Sequence, residues 1–151
     1  MAEITKIPEK ILRKILEKID PEDIKNGAYT TLISDMKVSM LKNEGVGLAA
    51  NQIGKDLAIF VIAPYLAKEH DVPEVYFNPE ITEYSKELDE LEEGCLSIPK
   101  YFAPIKRSKK VMIKFVDEQG KKQKIKARGF LARVYQHETD HLHGLVIKDR
   151  K

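Results

Sequence analysis

The stretch Gln136-His137-Glu138-Thr139-Asp140-His141-Leu142-His143-Gly144 constrains this chain more than any other. It contains His-Glu-x-x-His. On a helix, His137 and His141 stand four residues apart and stack on one face, where two imidazoles can bind one metal ion. Glu138 projects about 100° around the axis from His137. It can therefore reach a water on such a metal without being a ligand. Phe130, Leu131, Val134 and His137 repeat with helical spacing after Gly129, and Gly144 stands where a C-terminal cap belongs. An ordinary amphipathic helix with two solvated histidines carries the same pattern, so a metal site needs support from elsewhere in the chain.

A chain of 151 residues suffices for one domain with its own core. No apolar run approaches the ~20 residues of a membrane span. The opening, MAEITKIPEK, lacks the apolar centre of a signal peptide. The 26 Lys and Arg against 24 Asp and Glu leave a net charge of +2, which gives no argument for nucleic-acid binding. The single cysteine, Cys95, excludes an internal disulfide and fits a reducing cytoplasm. A lone cysteine is most often a small buried hydrophobe.

Ile11, Leu12, Ile15, Leu16 and Ile19 recur at helical spacing and predict a short helix over 9–19, broken by Asp20-Pro21. A second helix is expected from about Thr30 to Asn43, with Leu32, Ile33, Met36, Met40 and Leu41 as its apolar stripe. The glycine-rich run from Gly45 to Gly54 follows a helix and lacks a Lys-Ser/Thr pair, so it reads as a helix stop and turn, not a phosphate loop. Gln52 is its one polar group suited to chemistry. Leu57–Ile62 reads as a buried strand ended by Pro64. Val75–Phe77 and Glu80–Tyr84 are short strand candidates, and Glu87–Glu93 is an acidic, mostly solvated run. Arg107–Asp117 and Lys122–Ala127 alternate around Gln119-Gly120, a hairpin with one wet face. Leu145–Ile147 is a candidate last strand. Clustered strands with few helices point to an α+β fold, with small mixed or antiparallel sheets around a central metal-binding helix.

A catalytic site of the zinc type needs three protein ligands and one open position. His143, two residues from His141, falls on another helical face, and His70 sits in a polar, loop-like stretch. Cys95, in Glu93-Gly94-Cys95-Leu96-Ser97, is the best third ligand on chemistry: its thiol deprotonates outright beside a divalent metal, and Gly94 lets the backbone come close.

Gly45-Val46-Gly47-Leu48-Ala49-Ala50-Asn51-Gln52, Glu93-Gly94-Cys95-Leu96-Ser97 and Gln136-His137-Glu138-Thr139-Asp140-His141 closely resemble the three motifs of peptide deformylases, in the same order. The likeness runs from about Leu32 to Arg150; before it, Pro8 and Leu12-Arg13 echo the family's opening loosely and residues 14–30 do not match well. It implies removal of the N-formyl group from the initiator methionine of nascent polypeptides at the ribosome, by a cytoplasmic monomer with no membrane or direct nucleic-acid partner. It also implies a ligand set of Cys95, His137 and His141 around one divalent metal, usually Fe²⁺, with Zn²⁺, Ni²⁺ or Co²⁺ able to substitute. Glu138 would be general base and then acid, and Gln52 with the backbone N–H of Leu96 would stabilise the oxyanion. Val46, Gly47 and Gly94 would line the cleft and pair with the peptide as an added strand. Asp140 or Gln136 would orient ligands, unless Asp140 pairs with Arg107 in a purely structural role. Two other readings use the same residues: a non-catalytic metal-stabilised binding module, and a small metallopeptidase acting on unformylated peptides.

Overall fold

The structure, a computed structural model, describes residues 3–150. Four helices are present among these: α1 Pro21–Lys25, α2 Thr30–Lys42, α3 Pro64–His70 and α4 Gly129–Leu142. The strands are β1 Gly47–Ala49, β2 Ile59–Ile62, β3 Val75–Tyr84, β4 Leu88–Cys95, β5 Ile98–Ser108, β6 Lys110–Val116 and β7 Lys122–Arg128. Five of them form one antiparallel sheet in the order β1-β2-β3-β6-β7, and β4 pairs with β5 in a separate two-stranded ribbon.

Strand β2 explains its own sequence. Phe60 and Ile62 pack into the cluster shared with Leu131, Val134 and Tyr135 of α4. Ile59 and Val61 point the other way, to Ile33, Met36 and Met40 of α2. A strand covered on both faces needs an unbroken apolar run. The β6–β7 hairpin is covered on one face alone. Val111, Ile113 and Phe115 are buried, while the register sets Lys114 against Lys124 and Lys110 against Arg128 on the wet side.

Helix α4 is buried on nearly every side, from Leu131 through Leu142, with only His137 part-exposed. Its polar residues are tied into the surroundings. Gln136 accepts from Ser108 N–H and donates to the Ser108 and Ala132 carbonyls. A helix of this kind can hold side chains rigidly because its neighbours leave few rotamers open. The α+β expectation and the central helix are both as the sequence indicated.

Several local expectations are corrected. Residues 9–19 are not one helix: a 3₁₀ turn at Lys10–Arg13 gives way to extended chain. The backbone is satisfied by distant partners instead. Leu16 N–H donates to Leu142 O, Ala58 N–H to Glu17 O, and the Asn78 side chain both accepts from Ile19 N–H and donates to Ile19 O. Leu12, Leu16 and Ile19 are buried, but Ile15 is 70% exposed. Asp20-Pro21 starts a helix, with the Asp20 side chain accepting from Glu22 N–H and proline at the first position. Pro64 likewise opens α3. The stripe of α2 is narrower than expected, since Leu41 is 55% exposed.

The two candidates around Asn78-Pro79 are one strand, β3, bent by a register shift between Phe77 and Glu80 with Asn78 at φ 48°. The acidic run is strand β4, exposed through Glu92 but with Glu93 buried. Arg107–Asp117 divides between β5 and β6, and so between two sheets. Leu145–Ile147 is no strand; a 3₁₀ turn covers Ile147–Asp149.

Candidate active site

Helix α4 presents His137 and His141 with ring centroids 5.1 Å apart. Cys95 ends β4, where the pairing with β5 shifts between Gly94 and Cys95. One ligand atom each from Cys95, His137 and His141 lies within 4.8 Å of the others. Cys95 Sγ is 3.3 Å from His141 Nε2. A thiol and two imidazoles converging on one point fit a divalent transition metal. His70 and His143 are exposed and stand outside the group.

Glu138 lies beside this trio, 3% exposed, and its Oε1 has no hydrogen-bond partner. Burial pushes its carboxyl up to about 7, although the charge of His137 pulls the other way. Strand β1 runs against it: a Cβ at Gly47 would stand 2.7 Å from Glu138 Oε2, closer than any side chain tolerates. Glycine at 47 therefore lets β1 lie against the carboxylate without either of them shifting.

Gln52 closes the 3₁₀ turn Ala50–Ile53 and is 2% exposed. Its Oε1 accepts from Ala49 N–H at 3.0 Å, and its Nε2 lies 3.6 Å from Cys95 Sγ. Val46, Gly47, Gln52, Gly94, Cys95, Leu96, His137 and Glu138 all line one cleft of about 980 Å³. His141 lies behind that wall, 1% exposed. Gly94 leaves room for an aromatic neighbour, since a Cβ there would be 2.5 Å from the Phe102 ring.

One residue that the geometry puts forward, Glu93, was not among the expected site residues. Glu93 Oε1 is 2.9 Å from His137 Nδ1, and the same carboxylate accepts Arg107 Nε and Nη2 at 3.0 Å each and a close contact from Arg133. Burial works against the charged carboxylate, yet the bonds from His137 and Arg107 hold it well below the usual range. His137 is raised in turn: burial opposes its charge, but Cys95 and Glu93 favour it. His141 is lowered, by burial first and then by the charge of His137.

The expected orienting residues do other work. Asp140 pairs with Arg107 at 2.6 Å and with Arg150 at 2.8 Å, the structural role, and Gln136 bonds backbone. No local signal separates Glu93 from the acidic run before it, and the register shift between Gly94 and Cys95 breaks the alternation that would have linked it to the ligand.

A family model for polypeptide deformylase matches residues 1–151. A peptide deformylase of Dictyoglomus turgidum is 44% identical over 151 residues, covering 98% of this chain and 91% of the relative. One of Mesorhizobium japonicum is 41% identical over 95% of this chain and 80% of its own length. The crystal structure of peptide deformylase from Thermotoga maritima matches with a TM-score of 0.88 at 36% identity, over 99% of this chain and 97% of that one. A Met-Ala-Ser-bound class I type b enzyme from Acinetobacter baumannii matches at 0.90 and 33%, over 100% and 98%. With a matching family model over its length and a Cys-His-His cluster at the cleft wall, the chain belongs to the peptide deformylase family, metal-dependent hydrolases that remove the N-formyl group from the methionine of nascent chains.

Proposed function

We propose that Cys95, His137 and His141 hold one divalent metal ion, Fe²⁺ in the cell with Zn²⁺, Ni²⁺ or Co²⁺ able to replace it, and that Glu138 moves the protons of the reaction. When bound, the metal supplies Lewis-acid chemistry, acidifying water and polarising a carbonyl oxygen. The observation that carries the reading is the Glu138 carboxylate: buried, with one oxygen unpartnered, in the wall of the cleft that Cys95 and His137 also line. A carboxyl poised at about 7 can take a proton from water and return it near neutral pH. It gives that proton to the leaving amine, which departs as the new N-terminus, and the formyl group leaves as formate.

Gln52 Nε2–H and the backbone N–H of Leu96 stabilise the negative charge that grows on the formyl oxygen. Gln52 already points its amide nitrogen to the Cys95 side of the cleft. Val46, Gly47 and Gly94 line the cleft, and we infer that the peptide lies along them as an added strand. The Met-Ala-Ser peptide bound to the Acinetobacter relative makes a formylated peptide of that type the natural substrate to test. The protein acts as a single domain, a monomer of the cytoplasm.

The experiment is formate release from formyl-Met-Ala-Ser by protein purified without oxygen, with metal content measured on the same sample. Glu138→Gln keeps the size of the side chain but cannot shuttle a proton. It should keep its metal and lose at least ~10²-fold in turnover. A metal-loaded Glu138→Gln protein that still released formate at the wild-type rate would sink the mechanism. A wild-type protein that held metal but released no formate would favour a binding module instead.

A further inference from the structure

The N-terminal segment is tied to the wall of the cleft by two backbone bonds and one hydroxyl. Thr5 N–H donates to Gln52 O at 2.5 Å, and Ile7 N–H donates to Ser97 O at 3.1 Å. Between these two bonds the Ser97 hydroxyl donates to Thr5 O at 2.7 Å. A serine hydroxyl has one proton and two lone pairs. With its proton committed to a carbonyl, Ser97 Oγ can meet Gln52 only as an acceptor, and it lies 3.1 Å from Gln52 Nε2.

The other end of the same amide is constrained independently. Ala49 N–H lies 3.0 Å from Gln52 Oε1. A backbone N–H can only donate, so it requires oxygen there. An amide turned by 180° has almost the same shape, and its orientation is decided by its partners. Both partners of Gln52 reject the turned form. One Nε2 proton is thus taken by Ser97, and the second is left facing Cys95, whose Sγ is 3.6 Å away. The arrangement is dry, with Ser97 at 0% exposure and Gln52 at 2%.

We propose that Ser97 is a positioning residue for Gln52: pinned by the carbonyl of Thr5, its hydroxyl holds the Gln52 amide with one N–H turned into the cleft. This rests on the oxyanion role proposed for Gln52 and gives the N-terminal segment a part in it. Ser97 itself touches no substrate. A serine that merely packs would affect stability and leave turnover alone.

The test is a cycle of Ser97→Ala, Gln52→Ala and the double variant in the metal-loaded protein. Each is assayed for kcat and KM and checked for metal content, and the Gln52 side-chain amide is followed by ¹⁵N NMR in the zinc form. That signal is assigned by its loss in Gln52→Ala. Ser97→Ala should lower kcat about tenfold, the scale of one hydrogen bond, with KM and metal unchanged. The Gln52 amide should shift and exchange its protons faster. In the Gln52→Ala background the same change should do nothing more. Ser97→Thr, which keeps the hydroxyl, should restore both the rate and the amide signal.

An unmoved amide signal with wild-type kcat in Ser97→Ala would overturn the inference. So would an equal loss of kcat in the Gln52→Ala background, because Ser97 would then act on its own. If Gln52→Ala left turnover unchanged, the oxyanion reading would fall. The amide signal would still report whether Ser97 orients the side chain.

Discussion

Glu93 Oε1 and His137 Nδ1 are 2.9 Å apart, and the carboxylate is wedged between Arg107 and Arg133. An imidazole that gives its Nδ1–H to a carboxylate keeps Nε2 as the free nitrogen, so the pair sets which atom faces a metal. Arg107 continues the chain of charges to Asp140, and Asp140 to Arg150. One network, buried as far as Asp140, therefore ties the ribbon of β4 and β5 to helix α4 and, through the part-exposed Arg150, to the end of the 3₁₀ turn Ile147–Asp149.

Glu93→Gln keeps the shape of this contact and removes its charge. Two arginine guanidiniums then lose their shared counter-ion, and breaking a buried ion pair on one side costs about 3–5 kcal/mol. Metal affinity should fall about 10- to 100-fold as His137 loses its support. Competition with a chelator and thermal unfolding measure the two effects. Unchanged metal affinity would mean that Glu93 serves the fold alone.

Gly47→Ala forces a choice, because the new Cβ would stand 2.7 Å from Glu138 Oε2. Either β1 or the carboxylate must move. A displacement near 1 Å at a reacting group costs on the order of 10²-fold in rate. The variant should keep its metal, since the atoms a Cβ at 47 would crowd first all belong to Glu138, which is outside the ligand cluster. Formate release at the wild-type rate would show that the glycine is there only for the strand.

Cys95→Ser should weaken metal binding sharply, because a neutral hydroxyl replaces a thiolate. His143→Ala is the control, since His143 is exposed and lies outside the cluster. Metal analysis after dialysis separates them. Full metal content in Cys95→Ser, or loss of it in His143→Ala, would require a different ligand set.

The helix that carries the site was legible because its signal is local: α4 sits where the spacing of Phe130, Leu131, Val134 and His137 put it, although Phe130 itself is 44% exposed. The same was true of β2, whose four residues are apolar and buried. What failed was whatever depends on distant partners. Leu12, Leu16 and Ile19 have helical spacing, yet Asn78 and Leu142 claim the backbone of that segment and hold it extended. Strand β4 was hidden because both faces of its first half are exposed, so Leu88–Glu92 shows no alternation. At the site, Cys95 could be argued from chemistry and Gln52 from its apolar setting. Glu93 could not be separated from the acidic run before it until Arg107, Arg133 and His137 were seen around it.

Glu138 has a consequence for stability that is independent of turnover. Burial pushes its carboxyl up to about 7 from an ordinary 4.5. Below 4.5 the folded and unfolded chains both carry the proton, and above 7 neither does. Between these limits the folded protein holds a proton that the unfolded chain has released, so stability falls as pH rises. Over the whole window the loss is on the order of 3 kcal/mol. Glutamine at 138 does not titrate. Metal-free Glu138→Gln should therefore match the metal-free wild type near pH 4 and exceed it near pH 8. Urea unfolding of both proteins across that range gives the difference directly, and parallel curves would mean that the carboxylate is not desolvated in the fold. The direction matters more than the size. A residue present for packing has no reason to make the protein weaker at neutral pH, whereas a proton shuttle needs a carboxyl with a free oxygen facing the reaction, and burial without a partner on Oε1 is the cost of keeping Glu138 so.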